Sequence, residues 1–237
     1  MNTVMDRELG ADLAADLAGA AFTVARRFAA GATMWSIAPS CEPHARHIAV
    51  EFVHPVIVGK RALPAVALTG PDLVDQVRVS VRPGDLVIAV AGAWDPDVRS
   101  VMQRCPAWGA TTIWIGSGVR PEPGAADHVL WLDDPDPRVP ATGGFVLFYH
   151  LLWELTHVCF EHPGLLKTSA AEEVCVTCSD EGRLGEVLTA QDTERATVRT
   201  ARGTETVVTT LIGPVVAGDL VLVHAGTAIS RAGQEAS

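Results

Sequence analysis

Residues 82–90 read RPGDLVIAV, a polar turn followed by a strand without a single polar side chain. Strands that are apolar on both faces are typical of parallel sheets that helices cover on each side. Further apolar runs of strand length occur at 33–38, 63–68, 111–115 and 128–132. Segments of helical periodicity separate these runs, the longest of them at 6–30 and 145–161. The alternation predicts βαβ units, and therefore an α/β domain with a parallel sheet.

The character of the sequence changes after residue 165. Residues 166–173 are small and polar, as in a linker between domains. Short runs of strand periodicity then follow at 183–190, 196–199, 206–212 and 220–224. Four or five short strands within about 60 residues favour a small β-barrel. We therefore predict an α/β domain at 1–165, a linker at 166–173 and a barrel at 174–237.

Composition excludes several functional classes. The net charge of −10, without a basic stripe, argues against nucleic-acid binding. No basic segment followed by an apolar run marks a signal peptide, and no uncharged apolar stretch is long enough for a membrane span. The five cysteines are an odd number, which argues against a disulfide framework. We expect a protein of the reducing cytoplasm.

Two helical stripes of histidine and glutamate are candidates for metal binding, because three- and four-residue spacings place side chains on one helical face. The first is His44, His47, Glu51 and His54, and the second is His150, Glu154, His157 and Glu161. Imidazole and carboxylate groups at these spacings can bind zinc or another divalent metal together. The alternatives are a solvated face, or buried hydrogen-bonded pairs at a domain or dimer contact.

A third candidate is the pair Cys175 and Cys178 in the motif Cys-x-x-Cys. Thiolates are soft ligands that favour iron, zinc or copper(I). One such motif supplies only two ligands, so a closed site needs further groups such as His224. The alternative is an inert surface turn.

The segment GDLVLVHAGTAI at 218–229, with GRLGEV at 182–187, resembles the HypC/HupF family of hydrogenase maturation chaperones. The resemblance implies an OB-like barrel whose cysteine carries iron with cyanide and carbonyl ligands, Fe(CN)2CO, to the large subunit of [NiFe]-hydrogenase. It also implies other maturation proteins as partners. Carried over, the cargo-binding residues are Cys175 or Cys178 together with His224. In the family the cysteine follows the initiator methionine, whereas both cysteines are internal here.

Residues 1–165 resemble the sugar isomerase (SIS) domain of phosphoheptose isomerases, through ARHIAVE at 45–51 and LPAVALT at 63–69. The resemblance implies a flavodoxin-like three-layer fold, a zinc site and pairing into a homodimer or tetramer. It assigns His47 as a ligand, Glu51 as the base and His157 as the acid. The catalytic residues would thus be Glu51 and His157, and the metal ligands would come from His44, His47, Glu51, His150, Glu154 and His157.

The two loops that bind phosphate in that family differ here. They read APSCEP at 38–43 and AGAWDPD at 91–97, with Ser40 as the candidate for substrate binding in the first. Proline lacks an N–H donor and carboxylates repel phosphate. We therefore expect a hydrogenase maturation factor with a degenerate SIS domain. The alternatives are a metal-dependent aldose–ketose isomerase of sugar phosphates, and a binding module without turnover.

Overall fold

The computed structural model describes residues 11–55, 57–132, 143–166 and 182–232. These residues divide into two compact units with separate hydrophobic cores. The first unit takes the described residues of 1–103 and 111–167, and the second takes those of 104–110 and 168–237. Within the described part of the chain, no helix is long and apolar enough to cross a membrane.

The first unit is an α/β domain with a five-stranded parallel sheet in the order β2-β1-β3-β4-β5. Its strands are β1 (Met34–Ile37), β2 (Ala65–Ala67), β3 (Leu86–Val90), β4 (Thr111–Ser117) and β5 (His128–Leu132). Its helices are α1 (Ala11–Ala29), α2 (Glu42–Val53), α3 (Leu73–Ser80), α4 (Pro96–Trp108) and α5 (Gly143–Glu161), followed by a short 3-10 helix at Pro163–Leu166. The residues of α4 from 104 onward are grouped with the second unit. Every residue of β3 is buried, which confirms the prediction of a covered parallel sheet.

The turn before β3 is fixed by the side chain of Asp85, which is 7% exposed. Its Oδ1 accepts a hydrogen bond from the backbone N–H of Thr33 at 2.9 Å. Its Oδ2 accepts from Trp35 Nε1 at 3.0 Å and from the backbone N–H of Arg82 at 2.9 Å. One buried carboxylate therefore ties the start of β3 to β1, and its lone pairs are satisfied as burial requires.

Strand order reverses between β1 and β3, which are neighbours in the sheet although β2 lies between them in the sequence. Crevices for ligands in open α/β sheets form at this place, beyond the carboxyl ends of the strands. The loops that follow β1 and β3 meet here, since Ser40 Oγ donates to Asp95 Oδ2 at 3.4 Å.

The second unit is a closed five-stranded barrel in the order β10-β8-β7-β6-β9. Its strands are β6 (Arg183–Ala190), β7 (Arg195–Thr200), β8 (Gly203–Val208), β9 (Leu220–His224) and β10 (Thr227–Arg231). Small apolar side chains, most of them valine, fill the interior. The barrel prediction is confirmed, but the strand predicted at 206–212 lies instead at Gly203–Val208.

Candidate metal centre

Helices α2 and α5 bring three potential metal ligands together. His47 Nε2 lies 3.1 Å from His150 Nε2, and Glu51 Oε2 lies 3.9 Å from the first nitrogen and 3.6 Å from the second. A search of the described histidine, cysteine and carboxylate side chains for three or more that could hold one metal ion finds this group. Its ligand atoms all lie within 4.8 Å of one another. We call these three residues the triad.

Local sequence explains how the triad forms. His47 and Glu51 are one helical turn apart on α2, so their side chains share a face. Pro43 at the beginning of α2 occupies a position where a missing N–H costs little. The α5 helix is apolar through most of its length, so it packs closely against its neighbours and carries His150 to the α2 surface.

Burial of the triad is uneven. Glu51 is 8% exposed, whereas the side chains of His47 and His150 are 41% and 39% exposed. A buried carboxylate needs a hydrogen bond, a cation or a metal to offset lost hydration. The two imidazoles therefore border solvent on one side and Glu51 on the other, which leaves room for a ligand from outside.

The electrostatics of the triad favour neutral imidazole. Desolvation lowers the pKa of His47, and the neighbouring His150 lowers it further, while Glu51 acts in the opposite direction. A metal ligand must be the neutral imidazole, with a free lone pair. The lowered pKa thus keeps His47 in the binding form at neutral pH.

Tyr149 and His44 form a buried layer behind the triad. Tyr149 is the only tyrosine in the chain and is 1% exposed. Its hydroxyl lies 3.3 Å from His44 Nδ1, and its ring makes an edge contact with His47 at 5.3 Å between centroids. Desolvation first, then Cys41 and Glu51, raise the pKa of Tyr149 to about 12, so the hydroxyl stays protonated. Sequence reasoning missed Tyr149, although a lone tyrosine directly before His150 in an apolar helix was a usable signal.

The remaining residues of the two stripes lie elsewhere. His157 is 1% exposed, with Nδ1 2.9 Å from the carbonyl oxygen of Trp153 and Nε2 3.0 Å from that of Arg61. Both ring nitrogens of His157 are thus engaged by the backbone within the fold. Glu154 is exposed, as is His54. His44 is buried against Tyr149 and is not a member of the triad.

The polar side chains of the loops around the crevice form hydrogen bonds within the chain. Ser40 is hydrogen bonded to Asp95. Glu42 accepts from the backbone N–H of Gly70 at 3.1 Å and from Arg46 at 3.2 Å. The crevice thus presents carboxylates where a phosphate cradle would present N–H groups.

The candidate cargo site is described only in part. Cys175 and Cys178 lie outside the described residues. His224 is half-buried at the end of β9, opposite Thr227 of β10.

Fold and site together define a SIS-type α/β unit with a candidate metal triad, followed in sequence by a small closed barrel. Residues 182–237 match the model of the HupF/HypC family. The C-terminal unit is therefore a HupF/HypC-type domain, as the motifs at 182–187 and 218–229 predicted. No match was found among curated proteins.

Two solved structures resemble the first unit. Phosphoheptose isomerase GmhA from Neisseria gonorrhoeae is 16% identical, with a TM-score of 0.51, over 61% of this chain and 86% of that one. A phosphoheptose isomerase from Francisella tularensis is 13% identical, with a TM-score of 0.50, over 62% of this chain and 92% of that one. At such identity the likeness establishes the SIS-type fold.

Proposed function

We propose that this protein is a cytoplasmic maturation factor for [NiFe]-hydrogenase, whose barrel handles iron with its cyanide and carbonyl ligands. The family match over 182–237 supports this proposal most directly. A thiolate of Cys175 or Cys178 binds the cargo in this proposal, with His224 as a further candidate ligand. The hydrogenase large subunit and other maturation proteins are the partners.

A complementation experiment tests this role. In a hydrogenase-producing strain that lacks this gene, the wild-type chain should restore processing of the large subunit. The double variant Cys175→Ala/Cys178→Ala should not restore it, because no thiolate remains to bind iron. Ser179→Ala is the matched control, since it alters the same segment without removing a thiol. Normal processing with the double variant would contradict the cargo role.

In the first unit, we propose that the triad holds a divalent metal such as zinc. Donor atoms of a tetrahedral zinc site lie about 3.3–3.4 Å apart when each bond is 2.0–2.1 Å. The triad separations of 3.1, 3.6 and 3.9 Å fit this arrangement after small side-chain movements. Three protein ligands leave an open position, and a bound metal would supply Lewis acidity there.

Each protein group near that position has a definable role. His47 and Glu51 are held at a fixed separation by one turn of α2, and His150 closes the set from α5. The Tyr149 ring packs edge-on against His47, and this contact restricts the imidazole orientation. The Tyr149 hydroxyl, protonated at neutral pH, can donate to His44 and cannot compete as an anionic ligand.

A measurement of zinc uptake tests whether the triad residues, and not neighbouring histidines, bind the metal. Purified wild-type protein should take up about one zinc per chain, measured by elemental analysis after dialysis. His47→Ala and His150→Ala should each lose most of the uptake, because two ligands rarely hold zinc. His54 is the exposed residue at the end of the same helix and is outside the triad, so His54→Ala should retain the uptake. Equal uptake by all four proteins would contradict the site.

A second candidate function is aldose–ketose isomerisation of a sugar phosphate, which the triad within a SIS-type fold favours. Glu51 would be the base and His157 the acid. The carbonyl contacts of both His157 nitrogens and the carboxylates of the crevice weigh against it. Turnover of heptose or pentose phosphates by the purified protein, and its loss in Glu51→Gln, would establish this function. With either function, we expect the protein to form a homodimer or tetramer.

A further inference from the structure

A cavity in the first unit is lined by none of the triad residues. It has a volume of about 300 Å³ and opens between the segments that follow β3 and β4. Its walls include the side chains of Trp94, Arg99, Trp114, Val119, Pro121 and Glu122. The carboxyl edge of a parallel sheet is a common place for small-molecule sites. We call this cavity the tryptophan cleft.

The floor of the tryptophan cleft is rigid. Trp114 Nε1 donates to the carbonyl oxygen of Ala91 at 3.1 Å, and the ring meets Trp131 edge-on at 6.1 Å between centroids. Trp131 Nε1 donates to the carbonyl oxygen of Gly118 at 2.8 Å. Both indole N–H groups are therefore satisfied within the fold, and Trp114, which is 1% exposed, forms a packed base beneath the cavity.

The side chain of Trp94 forms one wall of the cavity and remains largely exposed to water. Its side chain is 73% exposed, although burying an indole stabilises a protein strongly. The adjoining Asp95 is well fixed, because its Oδ1 accepts from the backbone N–H of Val98 at 3.1 Å at the beginning of α4. Aromatic side chains are common in the walls of small-molecule sites.

Arg99 places a positive charge at the same mouth. Its guanidinium lies 5.6 Å from the centroid of the Trp94 ring, which holds it by a cation–π contact. No ion pair of Arg99 with a described carboxylate is found, whereas Arg120 on the opposite wall is paired with Asp16 at 3.0 Å. The Arg99 guanidinium is exposed, so it is accessible to an external anion at the mouth of the cavity.

We propose that the tryptophan cleft binds a small planar aromatic carboxylate. The exposed Trp94 indole and the prolines of the wall accept a flat apolar ring, and Arg99 pairs with the carboxylate through two parallel hydrogen bonds. A single charge suits the site because Glu122 also lines it and would repel a phosphate dianion. This site is independent of the triad and of the cargo proposed for the barrel.

Binding of 2-naphthoate and of its uncharged analogue 2-naphthamide to the full chain tests the proposal, by ligand-observed NMR titration. Wild type should bind 2-naphthoate saturably and 2-naphthamide at least about tenfold more weakly, since charge-assisted hydrogen bonds are lost. Arg99→Gln should weaken 2-naphthoate at least about tenfold and leave 2-naphthamide nearly unchanged. Trp94→Ala should weaken both.

Arg26→Gln is the matched control, because Arg26 is an exposed arginine stacked on Phe22 of α1, outside the cleft. It should bind both compounds as wild type does. Equal affinities for the acid and the amide, equal affinities of wild type and Arg99→Gln for 2-naphthoate, or no saturable binding to wild type would each overturn the proposal.

Discussion

At the scale of single residues, burial decides what an ionisable side chain can do. Two histidines on α5 illustrate this. His150 is partly exposed and faces His47 and Glu51, so its nitrogen is accessible to an external metal. His157 is fully buried, and its nitrogens contact backbone carbonyls. His150 is therefore suited to binding a metal, whereas His157 holds the segment after α2 against α5.

Replacing His157 tests that distinction. His157→Ala should destabilise the first unit by about 2–4 kcal/mol, because it opens a cavity and leaves the Arg61 carbonyl unpaired. Urea unfolding measures this loss, and zinc uptake should stay near the wild-type value. The exposed His162→Ala should change stability by less than about 0.5 kcal/mol. Full stability combined with lost metal would show instead that His157 is a ligand.

An ion pair in the barrel predicts a pH dependence. Arg183 donates to both oxygens of Glu205, at 2.9 and 2.6 Å, and this hydrogen bonding lowers the pKa of the carboxyl group below 4.5. The stabilisation that the ion pair gives to the barrel is fully present above pH 4.5. It is lost as pH falls through the lowered pKa of Glu205, because the carboxyl group of the unfolded chain binds a proton at a higher pH than that of the folded chain. Partial exposure limits it to about 1 kcal/mol.

Unfolding at pH 7 and pH 3 measures this effect. Glu205→Gln should lower barrel stability at pH 7, and its difference from wild type should be smaller at pH 3, because protonation of the wild-type carboxyl group removes the ion pair as pH falls. The exposed Glu194→Gln is the control and should match wild type at both values. Equal destabilisation by Glu205→Gln at both pH values would contradict the ion-pair explanation.

At the scale of elements, close packing at β4 depends on one glycine. A Cβ on Gly116 would lie 2.2 Å from the Trp131 ring and 2.5 Å from the Ala91 carbonyl oxygen. Gly116→Ala should therefore destabilise the first unit by about 1–3 kcal/mol, because the indole must move out of the core. Thermal unfolding measures the change.

Gly19 in α1 provides the matched comparison, since a Cβ there meets nothing within 4 Å. Gly19→Ala should stabilise the same unit by up to about 1 kcal/mol, through helix propensity. A neutral Gly116→Ala would contradict the packing described around Trp131.

Most elements were predictable because their apolar patterns are unambiguous, as in β3. The prediction of a strand at 206–212 was wrong at its end, because residues 209–212 form a turn. In this turn Leu211 is exposed, and Ile212 packs against the barrel core. Helical spacing placed His47 and Glu51 on one face. It could not identify His150 as the residue opposite them, because that depends on how α2 and α5 pack in three dimensions.

At the scale of the whole molecule, two sets of candidate ligands belong to two separate units. The first carries a histidine–carboxylate triad in a SIS-type fold, and the second carries a HupF/HypC-type barrel that follows a Cys-x-x-Cys. Imidazole and carboxylate ligands suit zinc, whereas thiolates are softer ligands that also accept iron. We therefore expect the triad and the cysteines to be separable by mutation, with each set of variants affecting its own metal.

Infrared spectroscopy of protein purified without oxygen from hydrogenase-maturing cells tests the cargo role most directly. Wild-type protein and the triad variant His47→Ala should both show the stretching bands of iron-bound cyanide and carbonyl. Cys175→Ala/Cys178→Ala should show neither. Wild-type protein without these bands, or the double variant with undiminished bands, would contradict the assignment of the barrel as the carrier of iron.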